Sequence, residues 1–384
     1  MSIEEIRDRM KKIQSALLEF LEDESNAEEN YEIFLRVINE YHMAEDKYKI
    51  KSILQLINEI GSNHQRVPNF ISKIERILEN FKKDIQKFFS NSEIFELFKY
   101  NKRILLFLIE EKIVIIDEYI VLQITGDDYK CEDCEYFGPE IKPFLTDEFI
   151  QKHRCKNSNL RDEEFLEKIR KEVPEEFYDK RKEGENDNYL CELIRSNRVK
   201  DFGVYVNRNN ILLDTFIEKS IFETNPLLGC DDVQLIEYAS FYGSIEIIKY
   251  IRINGEVELT SEMWAYAIHS RNAELIKYLE DNDVSPPECS YVDILVESIK
   301  CHHNDVAKYI IDYLMKEEDQ QDSNEKIYYE QCVVEYYNYC FFPTDMKQKD
   351  MFLYLCQYGY YELVEHYLSE GNIDINEAVK ISII

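Results

Sequence analysis

The chain has 384 residues and 45% hydrophobic content, enough for two or three domains with a sizeable core, so it folds rather than remaining disordered. Lys and Arg total 46 against 77 Asp and Glu; the formal charge of −31 repels nucleic-acid backbones and anionic membrane surfaces, and no local basic patch offsets it. Ten glycines and eight prolines undersupply the tight turns that sandwiches and barrels need, and the composition points to an all-α fold.

Met1 to Met10 carries Glu4, Glu5, Arg7, Asp8 and Arg9 rather than the apolar core of a signal peptide, so the expected compartment is cytoplasmic and the ten cysteines are expected as reduced thiols. From Ser2 to about Tyr100 the pattern is helical. Ile3, Ile6, Met10, Ile13, Leu17, Leu18 and Leu21 recur at steps of three and four, and further stripes run through Phe34 to Tyr41, Ile50 to Ile57 and Phe70 to Phe89. The last is long enough to serve a coiled coil, which makes a self-associating helical structural protein one alternative reading. Ile94 to Phe98 and Ile104 to Ile109 form a tight helical pair. The apolar stretch from Arg103 to Ile124 is cut by Glu110, Glu111, Lys112, Asp117 and Glu118, as in a buried helix and unlike a membrane span. Residues 1–124 are expected to be a helical N-terminal domain.

Residues 125–187 read as a charged connector holding one amphipathic helix, Asp162 to Val173. Within it Cys131, Cys134, His153 and Cys155 are of metal-ligand type, and a zinc-stabilised module or enzyme built on them is a second alternative. The one-residue gap between His153 and Cys155 is tighter than ordinary zinc pairs. The expectation is therefore packed or surface thiols, with no metal and no cofactor.

Beyond Asn188 a unit repeats, aligned on an acid that opens a second helix: Asp201, Glu246, Glu274, Asp305 and Glu362, at spacings of 45, 28, 31 and 57 residues. Ile236, Tyr238, Ala239, Gly243, Glu246, Ile247, Ile248 and Ile251 of one copy match Trp264, Tyr266, Ala267, Arg271, Glu274, Leu275, Ile276 and Leu279 of the next. The acid suits the positive end of the second helix, and the small residue lets neighbouring helices approach. One such hairpin cannot bury its apolar face alone, whereas stacked copies can. The 45-residue step has room for an extra helix around Leu212 to Phe222 and a loop at Asn225 to Asp232. The 57-residue step has room for an eroded repeat at Ile327 to Phe342, after a polar loop at Lys316 to Lys326.

This layout resembles the ankyrin repeat, with the turn glycine kept only at Gly243 and Gly359 and the Thr-Pro-Leu-His opening absent. Tyr205 to Asn210, Ser220 to Asn225, Leu235 to Ile251 and Trp264 to Leu279 are similar to trichomonad ankyrin-repeat proteins with an associated domain of unknown function. The resemblance implies a helical N-terminal domain followed by a degenerate ankyrin-like helix-turn-helix solenoid over 188–384, and no known activity.

Catalysis finds little support. The closest glycine pairs lie twelve positions apart, which excludes Walker A loops, dinucleotide fingerprints and nucleophile elbows, and no histidine opens the two-His zinc-protease motif. Cys301, His302 and His303 place a nucleophile beside a base, yet at a repeat turn, where side chains are expected to face solvent. Asp281, Asn282 and Asp283 begin like a calcium loop, but Pro286 and Val292 stand where Gly and Glu are needed. The expectation is a non-enzymatic scaffold that binds a protein partner, with a basic surface if charge directs recognition, through a concave face formed by Glu237, Ser240, Phe241, Tyr242, Ala265, Ile268 and His269; no nucleic acid and no membrane partner is expected.

Overall fold

Polar caps open many of the helices, beginning with α1 (Ile3–Glu22), where Ser2 and Glu5 form a reciprocal capping box and Ile6, Met10, Ile13, Leu17 and Leu21 make the buried stripe. The computed structural model describes residues 2–64, 67–126, 131–230, 232–287, 290–315, 323–343 and 348–369. Among these the chain is all-α, its one strand-type pairing being an isolated antiparallel bridge between Phe216 and Gln234. It divides into two compact units: Met1–Phe88 with Ser240–Gly243 and Glu258–Ile384, and Phe89–Ala239 with Ser244–Val257. These do not follow the expected boundaries at 124 and 187, because the N-terminal helices share a unit with the C-terminal third.

In the first unit α1 is followed by α2 (Ala27–Glu40), α3 (Lys47–Asn63) and α4 (Phe70–Phe88). Phe70, Ile74, Ile77, Leu78, Phe81 and Ile85 of α4 are buried, and the helix packs on α1 and α3. Each such side chain contributes roughly 1.5–3 kcal/mol by leaving water. The stripe read as a self-association seam is thus covered within its own unit.

The second unit contains α5 (Asn91–Phe98), α6 (Lys102–Glu110), α7 (Glu118–Ile124), α8 (Cys131–Tyr136), α9 (Gly138–Ile141), α10 (Asp147–His153), α11 (Glu163–Arg170), α12 (Glu175–Glu183), α13 (Tyr189–Arg195), α14 (Val199–Asn209), α15 (Pro226–Cys230), most of α16 (Leu235–Phe241) and nearly all of α17 (Ile245–Gly255). Residues 125–187 lie within this unit. Tyr136, Phe137, Ile141, Phe165, Leu166 and Ile169 are buried there, on helices too short for their periodicity to stand out against the charges. At their centre lies Arg181, 1% exposed, which holds Glu140 with two bonds of 2.7 and 2.9 Å and donates to the Tyr136 carbonyl at 2.9 Å. The Tyr136 hydroxyl returns a bond to the Arg181 carbonyl at 3.0 Å.

The expected helix at Leu212 to Phe222 is absent. Asn210 ends α14 in the left-handed conformation (φ 51°), and exposure then alternates with a period of two from Ile211 to Glu218. Ile217 N–H bonds the Val233 carbonyl and Leu235 N–H the Thr215 carbonyl, both at 2.9 Å, so the β-branched Thr215 and Ile217 belong to a short extended pair.

The first unit resumes with α18 (Met263–Ser270), α19 (Ala273–Asp281), α20 (Val292–Lys300), α21 (Asn304–Tyr309) running into a π turn (Ile310–Leu314), α22 (Ser323–Glu335), α23 (Gln348–Gln357) and α24 (Tyr361–Ser369). The span Ile327 to Phe342 holds most of α22 and a short 3-10 helix (Tyr339–Phe341), a helix and turn of the kind expected for an eroded unit. Six turns from 188 onwards share a backbone device also present at His42 and Lys112 in the earlier helices, a left-handed residue after the first helix: Asn197, Gly243, Arg271, His302, Tyr337 and Gly359, with φ between 47° and 75°. In five of them the next residue's N–H reaches five positions back: Arg198 to Leu193, Ser244 to Ala239, His303 to Ser298, Asn338 to Val333 and Tyr360 to Leu355. Four turns adopt this geometry without glycine, at about 1 kcal/mol each, and the small residues Ala267 and Ser298 before two of them, like Ala239 before Gly243, are fully buried.

Candidate functional site

The residue after five of these six left-handed positions carries a second regularity. Ser244 Oγ donates to the Ile194 carbonyl (2.5 Å), Asn272 Nδ2 to that of Gly243 (3.0 Å), His303 Nδ1 bonds that of Ile268 (2.9 Å), Asn338 Nδ2 donates to that of Ile299 (3.0 Å) and Tyr360 Oη to that of Val334 (2.7 Å). Every acceptor lies at the end of the first helix, or in the turn, of the preceding helical pair. Four of these carbonyls already accept a backbone N–H from three residues on, from Asn197, Arg271, His302 and Tyr337, and the side chain fills the second acceptor site of a buried group. The donors differ in type, which hides the pattern from sequence comparison.

At the turn of Cys301, His302 and His303 the three residues are buried rather than solvent-facing. The reason is long-range: His64, at the end of α3, bonds the Cys301 carbonyl through Nδ1 (2.6 Å) and Glu22 through Nε2 (3.2 Å), and its ring lies 4.8 Å from that of His303. Burial drives His302 down to about 3 and His303 well below the usual imidazole value, so both are neutral. Because the Ile268 carbonyl can only accept, the His303 proton sits on Nδ1. Burial would raise Glu22, but His64 and Arg271 (2.7 Å) outweigh it and hold the carboxylate below its ordinary range.

One helical pair earlier, His269 Nε2 lies 2.5 Å from Glu297 Oε1, which also accepts from Lys300 Nζ at 3.2 Å. Burial alone would protonate Glu297; His269 and Lys300 reverse that and hold it at about 2. A donor atom each from His269, Glu297 and Cys301 lies within 4.8 Å of the other two. The Cys301 thiol is pushed well up by burial and is therefore protonated.

Glu59 of α3 shows the opposite balance, raised to about 7 by burial with Glu335 adding to the effect. A carboxyl whose folded value exceeds its unfolded one stabilises fully below pH 4.5 and loses that contribution as pH rises through 7. We expect Glu59→Gln to stabilise the protein by about 2 kcal/mol at pH 8, the gain shrinking towards zero near pH 4.5. Urea melts at pH 8 and pH 5 check this; an equal gain at both would contradict it.

Most residues expected to line a concave face are interior. Glu237, Ser240, Phe241, Ile268 and His269 are buried, and Tyr242 and Ala265 are half-buried. The Glu237 carboxylate accepts from Gln234 N–H (2.7 Å), and the Phe241 ring stacks on His269 at 5.2 Å. The helix face opposite the first apolar stripe is thus largely covered as well.

The expected cysteine grouping does not come together among the described residues. The Cys131 side chain lies outside them, the Cys134 thiol donates to the Ile124 carbonyl (2.9 Å), His153 pairs with Glu118 (2.8 Å) and Cys155 is exposed.

Large exposed apolar side chains of the second unit include Val204 at 68%, Leu212 at 72%, Phe216 at 53% and Ile253 at 76%. Val204 and Ile253 lie off the buried stripes of α14 and α17, a signal present in the sequence but masked by the density of apolar residues around it. Val199, Lys200, Gly203, Val204, Asn207 and Tyr250 line a shallow groove here. Gly203 permits it: a Cβ would lie 3.1 Å from the Tyr250 ring.

Comparisons with protein-family models, curated proteins and solved structures find no match to this chain.

Proposed function

We propose that this protein is a non-enzymatic interaction scaffold, a degenerate ankyrin-like stack of helical pairs that holds a protein partner. The observation that carries the reading is the set of turn-to-turn hydrogen bonds from Ser244, Asn272, His303, Asn338 and Tyr360, which link consecutive pairs in the same way despite divergent sequence. Pairs joined at each turn present a preorganised surface, and little ordering entropy is lost when a partner binds. The contact positions that fit are Val204, Leu212, Phe216 and Ile253, where apolar area is exposed. With a net charge of −31, the complementary partner is an apolar patch rimmed by basic side chains. The described cysteines are free thiols, in keeping with a cytoplasmic, reducing setting.

The test is crosslinking capture by the full chain from cytosolic extract at physiological salt, run beside Val204→Asp combined with Ile253→Asp. A stoichiometric partner retained by the native chain and lost by the equally helical variant is the expected result. No such partner, or one retained by the variant, would remove this surface from the proposal.

A further inference from the structure

We propose that His269, Glu297 and Cys301 form a binding site for a borderline divalent transition metal, with zinc the best fit, that clamps one helical pair to the next. Glu297 and Cys301 stand four residues apart, on one face at the C-terminal end of α20, and His269 comes from α18, which packs against it. His269 and Cys301 are buried, the Glu297 side chain is 17% exposed, and their donor atoms lie within 4.8 Å of one another. Imidazole, carboxylate and thiolate together suit zinc or cobalt, whereas magnesium and calcium prefer all-oxygen cages.

A hydrogen-bonded His–Glu pair by itself accounts for the 2.5 Å contact of Nε2 with Oε1, but not for Cys301. Its thiol is fully buried beside that pair, 0% exposed, and makes no hydrogen bond among the described residues. Seating an ion at ordinary bond lengths of about 2.0–2.3 Å requires His269 and Glu297 to part by less than about 1 Å, a side-chain adjustment. On binding, the imidazole proton moves from Nε2 to Nδ1 and the thiol proton leaves to the buffer. The thiolate and carboxylate then neutralise the dication, which suits a buried site better than an isolated charge.

The probe is Co2+, supplied during expression of the full chain so that the ion is present as the interior closes. One cobalt per chain with a sulfur-to-cobalt charge-transfer absorption is expected, together with a higher thermal midpoint than the chelator-treated chain. Both effects should disappear in Cys301→Ser, a near-isosteric change, and persist in Cys131→Ser combined with Cys134→Ser. A folded native chain without the band overturns the proposal, and so does a band that survives Cys301→Ser. Should Cys301→Ser fail to fold, His269→Gln is read in its place, with the same loss expected and the same persistence decisive against the site.

Discussion

Arg181→Ala should cost about 3–5 kcal/mol, the range for removing one partner of a buried ion pair. The guanidinium is nearly inaccessible, holds Glu140 by two bonds, caps the Tyr136 carbonyl and lies 5.2 Å from the Phe177 ring centroid. Truncation leaves Glu140, 17% exposed, without its counter-charge and opens a cavity among Tyr136 and Phe177. Hydrogen exchange should show lost protection in α8, α9, α11 and α12, with α1 to α4 retaining theirs. Protection unchanged in α8 and α12 would mean that these short helices do not depend on Arg181. Arg181→Met, which keeps volume but not charge, should recover less than half of the loss, because Glu140 remains unpaired.

The second large effect is expected at Asn338, which is fully buried, donates to the Ile299 carbonyl (3.0 Å) and the Asn304 Oδ1 (2.9 Å), and accepts from Gln14 Nε2 (3.2 Å). Asn338→Ala removes all three bonds, and at roughly 1–3 kcal/mol for each, less than additively, the loss should be about 3 kcal/mol. Since this side chain links α22 to the turn after α20, exchange protection should fall in both helices together. A loss confined to α22 would argue that the turn-to-turn bonds do not couple consecutive pairs, and the stacking part of the proposed function would fail with it. Urea denaturation gives the free-energy change independently.

The all-α character, the helices of the first hundred residues and the positions of several helix-to-helix turns follow from local chemistry. Ser2 with Glu5 and Ser90 with Glu93 are capping boxes, and Gly243 and Gly359 mark left-handed turns because only glycine takes that conformation without cost. Arg271 and His302 take it with a side chain, and there the acids that follow, Glu274 and Asp305, locate the second helix, whereas no acid or aliphatic pair follows Tyr337.

What periodicity cannot convey is whether a polar face is covered by a helix from elsewhere in the chain. Cys301, His302 and His303 have the composition of an exposed turn, yet His64 bonds the Cys301 carbonyl from 237 positions away. Ser240, Ile268 and His269 likewise read as one open face until neighbouring helices occupy it. In 125–187 the charges dominate the composition, and burial around Arg181 appears only when four short helices meet. Local propensity and capping are properties of a few adjacent residues and are written in the sequence, whereas burial is a property of the partner surface. Only the tertiary structure brings His269, Glu297 and Cys301 within reach of one ion, because the partner surface comes from another part of the chain.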